Sequence, residues 1–290
     1  MLKALFPLIV FLTSCVAAQR APSADPISTP SPSPTPTANR LEKQFFKNIV
    51  KDQAAIWSSP FRLHKHDLKY AIPFVAGAAA LIATDKHTSG WVARGGSLPG
   101  ISRDISEVGA LYTEGAIAGA FYVAGRATGN YRARETGILA GEALINAEIL
   151  TRVLKAVTQR PRPNEDGGRG RFFTGGNSFP SGHAVTSWSV ATVISYEYKH
   201  IPLVRYGALA AAGLVTMSRF SGRRHFLSDL AIGSGLGFLS GRYIFKERHL
   251  APEIDASKSP GKKSTTFMPA ISPLYEPRSH TYAVSLAWSL

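Results

Sequence analysis

The sequence has little cysteine, few acidic residues and no long uninterrupted apolar run. Its 290 residues include one cysteine, so no internal disulfide can form. The longest apolar run without a charged residue, at 70–84, has 15 residues, whereas a helix needs about 20 to cross a membrane. Acidic residues number 19 against 33 lysines and arginines, a formal net charge of +14. This excess favours an anionic partner, either a phosphorylated substrate or an acidic membrane surface.

The first 18 residues have the layout of an export signal. A lysine near the start and an apolar stretch precede LTSC, which ends at Cys15. LTSC resembles a bacterial lipobox, in which the cysteine is lipidated and becomes the first mature residue; cleavage after Ala18 is the alternative. We therefore expect an exported protein of the bacterial periplasm or cell envelope, held at the membrane through lipidated Cys15.

The composition then divides the chain into a linker and a folded domain. Residues 19–40 are rich in proline, serine and threonine, which predicts an extended linker. Within the predicted domain at 41–250, apolar stretches of helical length occur at 41–57, 70–84, 107–125, 136–158, 183–199, 202–217 and 227–245. No run of strands lies between them, so the predicted fold class is all-α. The short runs favour buried helices of a water-soluble bundle; an integral membrane form is the alternative.

The C-terminal residues have a different pattern. After a second linker at 251–264, apolar side chains alternate with small or polar ones from Thr281 to Leu290, which is the period of a β-strand. An earlier stretch at 265–275 can pair with it, so 265–290 is predicted to form a small β-hairpin. Its apolar face would pack on its own domain, on another subunit or on a membrane.

Three short stretches concentrate side chains that can hold a tetrahedral anion: KAVTQRPRP at 155–163, PSGH at 180–183 and SRFSGRRHFLSD at 218–229. Their candidate anion-binding residues are Lys155, Arg162, Ser181, Gly182 and Arg219. Cations and backbone N–H groups at the start of a helix form a suitable cradle, because the helix dipole also attracts negative charge. The remaining candidates are the titratable residues His183, His225 and Asp229.

The spacing K-x6-RP, then PSGH, then SR-x5-H-x3-D resembles the three motifs of the type 2 phosphatidic acid phosphatase superfamily. That superfamily also contains bacterial non-specific acid phosphatases and vanadium haloperoxidases. The chain matches the motifs without departure over about 75 residues. The resemblance implies a helical bundle and a metal-independent phosphatase acting on a phosphorylated small molecule or lipid. It implies no cofactor, with vanadate as an inhibitor, and we expect no nucleic acid partner.

The resemblance also implies a role for each motif residue. His225 would be the nucleophile that forms a phosphohistidine, and Asp229 would accept a hydrogen bond from its imidazole. His183 would protonate the leaving group and then activate water. The other candidates, Lys155, Arg162, Ser181, Gly182 and Arg219, would hold the phosphoryl oxygens.

Three alternatives remain at this point. A metal site built from His183, His225 and Asp229 is conceivable, but three neighbouring cations would repel a divalent ion. Within the family, a vanadate-dependent haloperoxidase would use the same cradle. A phosphate-binding envelope protein without catalysis is the third. The arginines outside the motif positions are interpreted as mostly solvated, with some attracting an anionic substrate; they are Arg160, Arg169, Arg171, Arg223 and Arg224.

Overall fold

The structure of the protein, a computed structural model, describes residues 38–94, 105 and 109–249 and the backbone of 270–276 and 281–287. Its helices are α1 Ala38–Ser58, α2 Leu68–Arg94, α3 Leu111–Thr128, α4 Tyr131–Thr158, α5 Gly182–Glu197, α6 Pro202–Ser221 and α7 Leu227–Arg248, with a 3-10 turn at Ser59–Arg62. The prediction of a mostly helical domain is confirmed. The predicted signal segment with Cys15 and the second linker lie outside the described residues, as does the first linker up to residue 37.

Helix α5 is the centre of the bundle. It packs against α3, α4, α6 and α7, and twelve of its sixteen residues are buried. The contact with α7 is close because α7 presents glycine to the α5 backbone: a Cβ on Gly237 would lie 2.2 Å from the Val185 carbonyl oxygen, and one on Gly241 2.3 Å from that of Ser189. No side chain fits at either distance. The α5–α7 contact therefore requires these two glycines.

The apolar core lies between α1, α3, α4, α5 and α7. Its fully buried members include Leu139, Ala143, Val193 and Ile244. On α1, Leu41 belongs to this core and Ile49 is also buried, as their helical spacing predicts. This helix therefore covers the bundle with one face.

Helix α2 is largely exposed, whereas the sequence analysis predicted buried helices. The apolar run at 70–84 belongs to a 27-residue helix, because Asp85 and Lys86 do not end it. By length and composition, the stretch Leu68–Val92 could cross a membrane, and only 6% of its apolar window is buried among the described residues. Tyr70, Ile72 and Val75 are exposed. The water-soluble interpretation does not account for this apolar surface.

A polar cluster fixes α1 and α4 to the end of α7. Arg248 Nη2 lies 2.5 Å from Asp52 Oδ1, and Arg248 Nε lies 3.2 Å from Glu142 Oε1. Asn146 Nδ2 donates to Asp52 Oδ2 at 3.3 Å. Burial and the neighbouring Asp52 raise the pKa of Glu142 to about 8. The polar residues of α4 at this level serve the core rather than the motif cluster.

The C-terminal segment contains two short strands, β1 Ala270–Glu276 and β2 Thr281–Ala287, paired antiparallel with Tyr275 opposite Tyr282. Their side chains lie outside the description. The apolar face predicted for this hairpin stays a prediction.

Candidate active site

Four helix ends bring the three sequence motifs together. Lys155 lies in the last turn of α4 and Arg219 in the last turn of α6. His183 lies in the first turn of α5, whose N-cap is Ser181. His225 stands just before α7, and Asp229 is in its first turn. Because these ends meet at one end of the bundle, residues more than 70 positions apart in sequence become neighbours.

Ser178 links the imidazole of His225 to the carboxylate of Asp229. The Ser178 hydroxyl donates to Asp229 Oδ2 at 2.5 Å and lies 3.3 Å from His225 Nδ1. His225 Nδ1 and Asp229 Oδ2 are 3.6 Å apart, too far for a direct hydrogen bond. The expected direct imidazole–carboxylate hydrogen bond is therefore replaced by a serine bridge, because His225 precedes α7 instead of lying on it.

The bridge has a consequence for the imidazole tautomer. A hydroxyl has one proton, and Ser178 gives it to Asp229, so its oxygen is left to accept a hydrogen bond from His225 Nδ1–H. The proton position is assigned from this network. With the proton on Nδ1, the lone pair of Nε2 is free to attack an electrophile.

The charges of the motif residues act on one another. Burial and, after it, the neighbouring Arg219, His225, Lys155 and Arg162 together lower the pKa of His183 to about 3. Burial and Arg162 lower the pKa of Lys155 to about 8. These mutual effects show a concentrated positive field, which an anion would relieve.

His225 and Asp229 are the most enclosed members of the site. His225 is 3% exposed and Asp229 is fully buried. Burial lowers the pKa of His225 to about 4, although Asp229 opposes this effect. Burial alone would raise the pKa of Asp229, but His225, Arg160 and Ser178 together hold it below its ordinary value. Near neutral pH the pair is a neutral imidazole beside an ionised carboxylate.

Two groups in the cradle lack a hydrogen-bond partner among the described residues: the buried Oγ of Ser181 and the buried Nε of Arg162. Such donors are costly to leave unsatisfied, and a tetrahedral anion would supply acceptors. Lys155 Nζ donates to the carbonyl oxygen of Asn177 at 2.8 Å. A Cβ on Gly182 would lie 4.0 Å from Lys155 Cε, which places the start of α5 beside the lysine.

Arg160 is not solvated, which corrects the sequence interpretation. Its side chain is 1% exposed and lies between the rings of Phe172 and Phe226, with the guanidinium carbon 4.6 and 4.2 Å from their centroids. Nη1 donates to Asp229 Oδ1 at 2.6 Å and Nη2 to Asp85 Oδ2 at 2.7 Å. The sequence does not separate Arg160 from its neighbours, since only burial distinguishes it. Arg169, Arg171 and Arg224 are exposed, as interpreted.

Asp85 and Ser228 complete this network and were missed by the motif search. Asp85 Oδ1 accepts from the Ser228 N–H at 3.1 Å, and its Oδ2 also accepts from the Ser228 hydroxyl. Arg160 Nη1 donates to Ser228 Oγ at 2.8 Å. The sequence contains one indication of this network: Asp85 follows an apolar stretch directly, and an aspartate buried in an apolar helix needs a partner for its charge.

The described residues contain a group with metal-ligand chemistry elsewhere: Glu135, Glu197 and His249, whose ligand atoms lie within 4.8 Å of one another. His249 Nδ1 is 3.1 Å from Glu135 Oε1 and 3.3 Å from Glu197 Oε1. Although burial lowers it, hydrogen bonds to the two carboxylates raise the pKa of His249 to about 9. A protonated histidine between two carboxylates accounts for this group without a metal.

Fold and site together define a helical bundle with a cluster of cations and hydrogen-bonded His225, Ser178 and Asp229 at one end. Residues 136–250 match the family model of the PAP2 superfamily. This match confirms the resemblance to that superfamily which the three motifs indicate.

Two known proteins resemble parts of the chain. A lipid A 1-phosphatase of Porphyromonas gingivalis is 35% identical over 69 residues, which is 23% of this chain and 16% of that relative. The chain thus spans well under a fifth of the length of this curated relative. The crystal structure of a transmembrane PAP2-type phosphatidylglycerolphosphate phosphatase from Bacillus subtilis has a TM-score of 0.48 and 23% identity, covering 67% of this chain and 98% of that chain.

Proposed function

We propose that the protein is a metal-independent phosphatase that hydrolyses a lipid phosphomonoester or pyrophosphate through a phosphohistidine intermediate. The observation that carries the proposal is the buried chain His225–Ser178–Asp229 beside a cradle of cations. It leaves His225 neutral, with the lone pair of Nε2 available, since the hydrogen bond of the imidazole to Ser178 involves Nδ1. A neutral imidazole with a free lone pair is the form that attacks phosphorus.

In the first step Nε2 of His225 forms a bond to phosphorus while the bond to the leaving oxygen breaks. His183 gives its proton to that oxygen, and Asp229 balances the positive charge that develops on His225. In the second step water attacks phosphorus, His183 takes the proton of the water, and the P–N bond breaks. Lys155, Arg162 and Arg219 balance the negative charge of the phosphoryl oxygens in both steps.

The low pKa of His183 is compatible with its role as an acid. Burial and the cations around it disfavour the imidazolium form of His183. A phosphate dianion would cancel much of that charge and raise the pKa of His183. Substrate binding would therefore favour protonation of His183, and the first step transfers this proton to the leaving oxygen.

An apolar groove supports a lipid as the substrate. It has a volume of about 700 Å³ and lies between α1, α3 and α4. Its walls are mostly apolar or glycine and include Phe45, Phe46, Gly115, Gly119, Gly141 and Ile145. This volume falls in the range of ligand pockets, about 300–1,000 Å³.

The groove follows the face of α4 that carries Lys155. Glu148 and Arg152 line the groove on α4, and the charge of Glu148 acts to raise the pKa of Lys155. Glu148 and Lys155 are seven residues apart, so they share a face and are separated by about 10 Å along the axis. A hydrocarbon chain in the groove would place an attached phosphate near the cradle. We assign the groove to the hydrocarbon chain of the substrate.

The exported location, the lipid anchor on Cys15, the absence of a cofactor and the C-terminal β-hairpin are part of this proposal. The exposed apolar surface of α2 supports contact with a membrane. A phosphatase at the membrane surface would meet lipid phosphates in the plane of the bilayer.

Trapping of the intermediate tests the mechanism. The protein, purified in detergent, is incubated with para-nitrophenyl phosphate, phosphatidate and undecaprenyl pyrophosphate, and released phosphate is measured. A brief incubation with 32P-labelled substrate should label the wild type, and the label should be absent from His225→Gln. The exposed His200 provides the control variant His200→Gln, which should retain activity and label.

Three results would contradict the proposal. The first is the absence of phosphate release from every substrate, with bromide oxidation appearing when vanadate is added; the protein would then be a haloperoxidase. The second is a labelled His225→Gln variant with full turnover, which would place the nucleophile elsewhere. The third is phosphate binding without any turnover, which would identify a non-catalytic binding protein.

A further inference from the structure

We infer that Arg160 and Asp85 are positioning residues of the active site: they hold in place Ser178, the hydrogen-bond partner of the nucleophile, and Asp229, the carboxylate that Ser178 bridges to it. This inference rests on the proposed role of His225. Neither residue is among the motif positions, and Asp85 lies outside the segment that matches the family model. The site would thus include α2.

Arg160 contacts Ser178 and Asp229 with different groups. Its guanidinium donates to Asp229 Oδ1 at 2.6 Å, opposite the oxygen that Ser178 contacts. Its main-chain carbonyl oxygen accepts from the Ser178 N–H at 2.6 Å. One residue therefore sets the position of the carboxylate and of the bridging serine.

The guanidinium is itself held on every side. Its Nε donates to the Gly170 carbonyl oxygen at 3.0 Å, and Nη2 donates to Asp85. Two aromatic rings cover its faces. Gly170 has φ of +63°, and a Cβ there would lie 2.6 Å from Arg160 Nη2, so the loop closes on the arginine only with glycine. Such a fully paired guanidinium has one orientation.

Asp85 adds α2 to the same network. Its two oxygens contact Arg160 and both the N–H and hydroxyl of Ser228, the residue before Asp229. These contacts connect the start of α7 to α2. Asp229 is held on one side by Arg160 and on the other, through the main chain, by Ser228, and both of these residues contact Asp85. Displacing α2 would therefore disturb Asp229 although α2 carries no motif residue.

The charge of Arg160 should affect the pH dependence of the reaction. Arg160 favours the ionised form of Asp229, and Asp229 in turn orients and balances His225. Weakening this ion pair raises the pKa of Asp229, so activity is lost at a higher pH on the acid side. Substrate binding depends on other cations, so KM should change little.

Arg160→Lys tests the inference, because lysine keeps the charge but cannot make the four directed contacts of the guanidinium. We expect kcat to fall about tenfold or more with KM within about twofold, and the acid limb of kcat/KM to move up by about one pH unit. Asp85→Asn should shift the limb in the same direction by a smaller amount. Selective 15N labelling of histidine should show a single Nδ1–H tautomer of His225 in the wild type and a mixture in Arg160→Lys.

Arg248→Lys is the matched control. Arg248 also pairs with two buried carboxylates, but it ends α7, about 28 Å along the helix from Asp229. This variant should lose stability and keep the wild-type pH profile and tautomer. Wild-type kcat, acid limb and tautomer in a folded Arg160→Lys would overturn the inference. If the wild type has no phosphatase activity, the proposed function fails, and the tautomer measurement alone decides the positioning role.

Discussion

The hydroxyl of Ser178 lies between His225 Nδ1 and Asp229 Oδ2, at 3.3 and 2.5 Å. Through this bridge a serine in the loop before α5 sets the protonation of a histidine 47 residues later. The Ser178 main chain is held in turn by Arg160. The tautomer of the proposed nucleophile is thus a property of the loop as well as of the histidine–aspartate pair.

Removing the bridge should slow the reaction without abolishing it. In Ser178→Ala, His225 Nδ1 loses its acceptor, and we expect kcat to fall about tenfold, the value of one hydrogen bond of about 1–1.5 kcal/mol. Steady-state kinetics with para-nitrophenyl phosphate measures this. Ser189→Ala, which removes another buried hydroxyl in the middle of α5, should have wild-type kcat. Equal rates for both variants would show that the bridge has no role.

The two histidine environments predict opposite effects of pH on stability. His225 has a folded pKa of about 4, below the unfolded value of about 6.5, so its contribution is complete above pH 6.5 and is lost as the pH falls towards 4. The loss is at most about 1.4 kcal/mol per pH unit. His249 has a folded pKa of about 9, so its contribution is present below pH 6.5 and is lost as the pH rises through 9.

Thermal unfolding of detergent-purified protein from pH 4 to 9 tests this prediction. Relative to the wild type, His225→Gln should be least destabilised at acid pH, and His249→Gln should be least destabilised at alkaline pH. Parallel curves for the two variants would contradict the pKa values of these two sites.

Metal removal and vanadate distinguish charge stabilisation by side chains from metal catalysis. We expect EDTA to leave phosphatase activity within about twofold, because three side-chain cations occupy the place of a metal. Vanadate should inhibit competitively, since it resembles the five-coordinate transition state that this cradle would stabilise. Loss of activity in EDTA that returns on adding a divalent ion would overturn the metal-independent mechanism.

Filling the apolar groove should affect lipid substrates only. A Cβ on Gly119 would have no neighbour within 4 Å, so Gly119→Phe can enter the groove without a backbone clash. We expect kcat/KM for a long-chain lipid phosphate to fall about tenfold or more, with para-nitrophenyl phosphate hydrolysis nearly unchanged. Gly213→Phe on α6 is the control, because that glycine also faces open space but lies outside the groove. Equal losses on both substrates would exclude a chain-binding role.

Two proposed membrane attachments can be separated. In Cys15→Ser the lipid anchor is lost, and metabolic labelling with palmitate should disappear. Because α2 presents its own apolar surface, we expect the variant to stay in the membrane fraction after alkaline carbonate extraction. Release of the variant into the supernatant would show that the Cys15 lipid is the whole attachment. Unchanged palmitate labelling would exclude Cys15 as the lipidated residue.

The sequence determined the helical class and the motif residues, because these depend on local periodicity and on fixed spacing within 75 residues. It could not distinguish Arg160 from the other four arginines outside the motif positions, since its carboxylate partners on α2 and α7 are distant in the chain. The sequence analysis also ended the apolar run of α2 before Asp85, because the sequence does not show which residue neutralises the charge of this aspartate. Only the tertiary structure shows that the partner is the buried guanidinium of Arg160, which compensates the charge of Asp85 in an apolar helix. Because Arg160 also pairs with Asp229, it connects α2 to the active site.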